Sequence, residues 1–174
     1  RVTARAGFTL VELVIVVVIV GIISALAIPR LSRGSEGAAE TAIVQDLKIL
    51  RTAIQMYAAE HGGVLPAAVG DGKKAADTPG AFRNQLLLYS NADGIVSADR
   101  DPANFPFGPY LQAIPKAPLG PAEGDNRVRV LAVGDPLTGN NTPGRAWRDD
   151  TITGEIIFTD KGLSSDGLTQ YDEY

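Results

Sequence analysis

Residues 8–28 form an apolar run of 21 residues with a single ionisable side chain, Glu12, and this run constrains the fold more than any other feature. At about 1.5 Å per residue, a helix of that length spans a hydrocarbon core of about 30 Å, so the segment predicts a membrane-crossing helix. The seven residues before it contain Arg1 and Arg5 and no acid. By the positive-inside tendency that end stays cytoplasmic and the remainder lies outside. With no Met at residue 1, the chain reads as starting inside a longer translated one. A secretory signal peptide is the simpler alternative, with Ala25-Leu26-Ala27 as its small-x-small cleavage site. Two features count against it: an acid near the start of the run, and helical character that persists beyond Pro29. A plain membrane anchor explains the length but not Glu12, because a carboxylate in the bilayer costs about 2.5 to 3.5 kcal/mol at mid-depth and calls for a partner.

Between residues 35 and 61 apolar side chains recur at Ala39, Ile43, Leu47, Leu50, Ile54 and Tyr57, spaced by three or four. That period predicts an amphipathic helix, stopped by Gly62-Gly63. Joined to the apolar run, it makes one helix of 54 residues from Phe8 to His61, about 80 Å long. Pro29 lacks a backbone donor and is expected to kink this helix near Ser24 to Ala27. Ten of the eleven prolines and fifteen of the nineteen glycines lie after His61, which excludes further long helices and leaves residues 80–90 as a short one. Residues 127–133 and 154–159 read as strands and residues 145–149 as a third, with Asn140-Asn141-Thr142-Pro143-Gly144 as a turn. The fold expected is α+β: a long N-terminal helix packed on a small antiparallel sheet, in four regions at residues 1–7, 8–29, 30–61 and 62–174.

Composition excludes several classes. The net charge is -4, with no block of Lys or Arg, so nucleic acid is not an expected partner. With no cysteine and one histidine, His61, there is no material for a disulfide framework, a thiolate metal site or a nucleophilic triad, so the chain is not read as an enzyme. His61 is expected at the helix C-terminus as a partly charged ring facing the helix dipole. Trp147 and Tyr110 read as packing residues of the head.

Gly7-Phe8-Thr9-Leu10-Val11-Glu12-Leu13, followed by the apolar run and Pro29, resembles the type IV prepilin signature. The resemblance implies a pilin-like fold, cleavage by prepilin peptidase between Gly7 and Phe8, and methylation of the new N-terminal Phe8. Loss of Arg1 and Arg5 takes the side-chain net charge from -4 to -6. Glu12 is then implied to meet the Phe8 ammonium of a neighbouring subunit, and two opposite charges in an apolar medium relieve each other's desolvation. Residues 108–120, together with Gly154-Glu155-Ile156 and Ser165-Asp166-Gly167, resemble the major pseudopilin of type II secretion systems. The chain departs from that pattern at Ala117-Pro118-Leu119, where the family has Asp-Pro-Trp, and in its longer loop at residues 70–104.

The same resemblance implies a homopolymeric filament, with minor pseudopilins or pilins and an inner-membrane assembly platform as further partners. The expected location is single-pass in the bacterial inner membrane with the head in the periplasm, and then in the filament. It also implies a structural Ca2+ near the C-terminus, where Asp160, Ser165, Asp166 and Asp172 offer hard oxygen donors, with Asp166 and Asp172 as the ligands named. The competing functions are a surface pilus subunit for adhesion, motility or DNA uptake, and a secreted binding domain whose signal peptide ends at Ala27.

Overall fold

The computed structural model describes residues 7–132, 134–141 and 143–174, with only the backbone described at 26–34. The chain divides into two compact units, Arg1–Ala38 and Ala39–Tyr174. One helix, α1 (Leu10–Glu60), supplies nearly all of the first unit and the spine of the second. Within the first unit the apolar side chains from Leu10 to Ile23 are exposed all round. The kink expected at Pro29, and the end of the apolar run at residues 26–28, lie outside the described residues as far as side chains are concerned. Among the described residues no helix is long and apolar enough to cross a membrane.

In the second unit the predicted stripe is the core. Ile43, Leu47, Leu50, Ile54 and Tyr57 are all buried, joined by Ala53, while Ala39 at the stripe's start is half-buried. Each such large side chain removed from water contributes about 1.5–3 kcal/mol, so this face of the helix organises the head. Gly62 and Gly63 follow the helix with φ of 65° and 90°, the left-handed conformation that ends a helix at low cost for glycine.

The segment at residues 70–104 is not a plain loop. It folds into α2 (Pro79–Leu87) and a two-stranded antiparallel hairpin of β1 (Tyr89–Ser90) and β2 (Val96–Ser97). Thr78 caps α2 by accepting from Ala81 N at 3.2 Å, and Pro79 sits at the first helical position, where a missing donor costs nothing. Two buried polar side chains hold the segment. Gln85 Oε1 accepts from Ala67 N at 2.7 Å, and its Nε2 donates to Gly94 O at 3.0 Å and Val69 O at 3.2 Å. Asp71 accepts from the backbone N–H groups of Lys73 and Lys74 and from Asn84 Nδ2.

The main sheet consists of β3 (Val128–Val130), β4 (Trp147–Asp149) and β5 (Ile156–Phe158), in that order. All three expected strands are present but shorter. The sheet is mixed rather than antiparallel, because β4 pairs antiparallel with β5 but parallel with β3. The connection from 131 to 146 is long enough to carry the chain back to the starting end of β3, which a tight hairpin could not do. Trp147 is fully buried, donates from Nε1 to Pro115 O at 2.9 Å and packs on Phe158 at 5.3 Å.

Candidate functional site

The helix begins at Leu10, so Gly7, Phe8 and Thr9 lie outside it in irregular backbone. A peptidase must seat its substrate bond in non-helical backbone, and the Gly7–Phe8 bond meets that requirement. Among the described residues nothing beyond its chain neighbours lies within 4 Å of where a Cβ on Gly7 would stand, and Phe8 is 82% exposed. Thr9 is the N-cap. Its Oγ1 accepts from Glu12 N at 3.2 Å, while Glu12 Oε2 accepts from Thr9 N at 2.9 Å and Thr9 Oγ1 at 2.7 Å. This is a capping box, Thr-x-x-Glu, which satisfies orphan donors at a helix start reciprocally. The pattern was readable at Thr9-Leu10-Val11-Glu12 and explains a partner for Glu12 within its own chain. The box lies wholly on the C-terminal side of the Gly7–Phe8 bond, so a cut there would leave it intact.

At the other end of the chain the C-terminal tail is fastened to α1 by Arg51 and Glu40, neither of which sequence reasoning singled out. Arg51 Nη1 donates to Tyr174 O at 3.0 Å and Nη2 to Ile156 O at 3.2 Å. Glu40 accepts from Ser165 Oγ at 2.9 Å and from the Tyr171 hydroxyl at 3.3 Å. Burial and the Glu40 carboxylate push the Tyr171 phenol up to about 12. The signal for such contacts is weak in sequence, since they join residues more than a hundred positions apart.

The donors expected to hold calcium do not converge on one centre. Asp166 Oδ1 closes its own turn by accepting from Leu168 N at 2.8 Å, Thr169 N at 3.4 Å and the Ser164 hydroxyl. Those hydrogen bonds, that from Ser164 first, hold the Asp166 carboxyl below its ordinary value. Asp160 Oδ1 accepts from Gly162 N at 2.7 Å, and Ser165 is bound to Glu40. Asp172 Oδ2 accepts from Gly139 N at 2.8 Å, while its Oδ1 is buried with no hydrogen-bond partner among the described residues. No group of three or more His, Asp or Glu side chains is placed to hold a metal ion among the described residues.

His61 follows the last residue of α1, as expected, and its ring is buried. Its Nδ1 lies 2.8 Å from Tyr57 O and its Nε2 3.1 Å from Ser90 Oγ, and the ring stacks on Tyr57 at 3.8 Å. The tight packing of Tyr57, Phe107 and Tyr110 around it encloses the ring. Tyr110 also donates to Glu60 Oε2 at 2.5 Å, so it joins the head to the end of α1 as a packing residue.

Residues 3–28 match the model of the prokaryotic N-terminal methylation motif. The chain is 43% identical over 93 residues to prepilin peptidase-dependent protein D of Escherichia coli K12, covering 53% of this chain and 62% of that protein. It is 28% identical over 116 residues to type II secretion system core protein G of Klebsiella pneumoniae, covering 67% of this chain and 70% of that one. The core protein G of Aeromonas hydrophila aligns over 155 residues at 26% identity, covering 85% of this chain and 90% of that protein. The chain thus spans less than two thirds of the E. coli relative and most of the Aeromonas one. No solved structure matches.

Proposed function

We propose that this chain, which carries the prokaryotic N-terminal methylation motif, is the major pseudopilin of a type II protein secretion system. Prepilin peptidase cuts it between Gly7 and Phe8, Phe8 is methylated, and the subunit waits in the inner membrane on its apolar helix with the head in the periplasm. It then leaves the bilayer to stack in a homopolymeric filament with minor pseudopilins, helix against helix, through an assembly platform. Lipid contact is exchanged for helix contact on extraction, so van der Waals packing and the Glu12 carboxylate set the geometry. The observation that carries the reading is the exposed Gly7–Phe8 bond, in irregular backbone directly ahead of an apolar helix capped by Thr9 and Glu12. The alignment with core protein G over most of both chains supports the secretion branch. A calcium ion at the tail belongs to this proposal through Asp172 alone, whose buried Oδ1 has no hydrogen-bond partner among the described residues.

A surface pilus subunit is the second reading, favoured by the highest identity above lying with a relative named only for its dependence on prepilin peptidase. Filament length in cells separates the two. The secreted-domain reading requires a cut at Ala27, in the middle of the helix that runs from Leu10 to Glu60. The test of the proposal is intact mass and N-terminal sequencing of the protein from membranes of a host with a prepilin peptidase. An N-methylated Phe8 start is expected, and an Ile28 start overturns it.

A further inference from the structure

We propose that the head carries a carboxylate-binding pocket walled by Arg83, Arg127 and Arg145, and that its occupant is an acidic side chain of a second copy of this chain. The inference deepens the filament reading and rests on it. A cavity of about 300 Å³ opens between the start of α2 and β3, with the three arginines and Asn126 at its walls and Ile114 and Val128 as an apolar floor. The arginines come from positions 83, 127 and 145, which no linear motif joins.

Arg127 is built into place. Its Nε donates to Asp125 Oδ2 at 2.8 Å, its Nη2 lies 2.7 Å from the same oxygen, and a Cβ on Gly144 would stand only 2.1 Å from that Nη2. Gly144 has a φ of 74°, a backbone conformation that favours glycine. Arg83 and Arg145 are exposed and form no ion pair among the described residues. Arg127 is paired with Asp125, whose carboxyl Arg145 also helps to hold below its ordinary value, while Arg83 has no acidic partner among the described residues. Pro79 and Gly80, in the first turn of α2, line the same cavity; Pro79 has no N–H and Ala81 N–H is held by Thr78, so Gly80 offers the free backbone donor of that turn. The Lys74 stem lies over Gly80, 3.0 Å from where its Cβ would be, and brings a further cation to that edge.

Guanidinium forks match a carboxylate bidentately, and the apolar floor accepts the methylene stem of an Asp or Glu side chain better than a hydrated inorganic ion. Charge points to the source. The chain has 20 Asp and Glu against 16 Lys and Arg, so a face this positive leaves the rest of the surface more acidic than the net charge of -4 suggests. Two copies are therefore complementary through unlike patches. A contact between unlike patches is heterologous and propagates instead of closing, as a filament requires.

The test uses the full chain in a host that processes and assembles it. The double variant Arg83→Glu, Arg145→Glu is compared with wild type and with Arg100→Glu, an exposed arginine outside the cavity. The expected result is normal cleavage to Phe8, an unchanged unfolding midpoint by Trp147 fluorescence, and filament yield reduced at least about tenfold in the double variant alone. In filaments mixed from light and 15N-labelled chains carrying Arg145→Lys, carbodiimide is expected to couple the introduced lysine to a carboxylate of a differently labelled copy. Wild-type yield from the double variant, or coupling only within one chain to Asp125, overturns the proposal. So does binding of benzoate to the wild type that Arg83→Glu abolishes with no effect on filaments. Failure of wild-type chains to form filaments refutes the filament reading itself, and is told apart because the pocket is then intact.

Discussion

Replacing Asp149 by Asn should stabilise the head, and by an amount that grows with pH. Asp149 lies on β4, is 1% exposed, and has an Oδ2 with no hydrogen-bond partner among the described residues. Burial, reinforced by the neighbouring Asp150 charge, pushes its carboxyl from the ordinary 3.8 up to about 8. The unfolded chain keeps the ordinary value, so the native state holds a proton that the unfolded state releases across this range. The stability tied to that proton is full below about pH 4 and drains away as pH rises to about 8. Each pH unit in the window is worth roughly 1 kcal/mol, so from pH 5 to pH 7 the wild type loses on the order of 3 kcal/mol through this group. Asn at 149 stays neutral and removes the dependence. Trp147, the single tryptophan, is buried two residues away and reports guanidinium unfolding directly. The advantage of Asp149→Asn over wild type should widen by about that much between pH 5 and pH 7. Parallel stability curves over the same interval would refute an uncompensated buried acid.

Three further outcomes are expected. Glu12→Val removes the acceptor for Thr9 N and Oγ1, and should leave cleavage at Gly7–Phe8 intact while impairing filament assembly; immunoblotting the processed band against the sheared filament fraction checks it. Gln85→Leu strips the buried Ala67 N–H of its acceptor and two carbonyls of their donor, and should cost about 2–4 kcal/mol by the same fluorescence titration, with a loss under 1 kcal/mol arguing against the clamp. Adding millimolar Ca2+ to chelator-treated protein should raise the Tm if Asp172 completes a calcium site, and Asp172→Asn should abolish that rise.

What could be read from the sequence was local. The stripe of Ile43, Leu47, Leu50, Ile54 and Tyr57 is set by the 3.6-residue period, and the structure buries every one of them. Gly7, Phe8, Thr9 and Glu12 lie within six positions, so their motif and capping box are linear features. Tertiary structure alone decided the rest. Strands of two or three residues carry too little alternation to reveal their pairing, so the parallel contact of β3 with β4 follows only from the long connection between them. Gln85 looks like an ordinary surface residue of a short helix until Ala67, Val69 and Gly94 close around it. The docking of the tail on Glu40 and Arg51, and the gathering of Arg83, Arg127 and Arg145 around one cavity, depend on contacts between distant positions. A periodic pattern reports which face of an element is buried, but only the packed chain determines which side chains meet there.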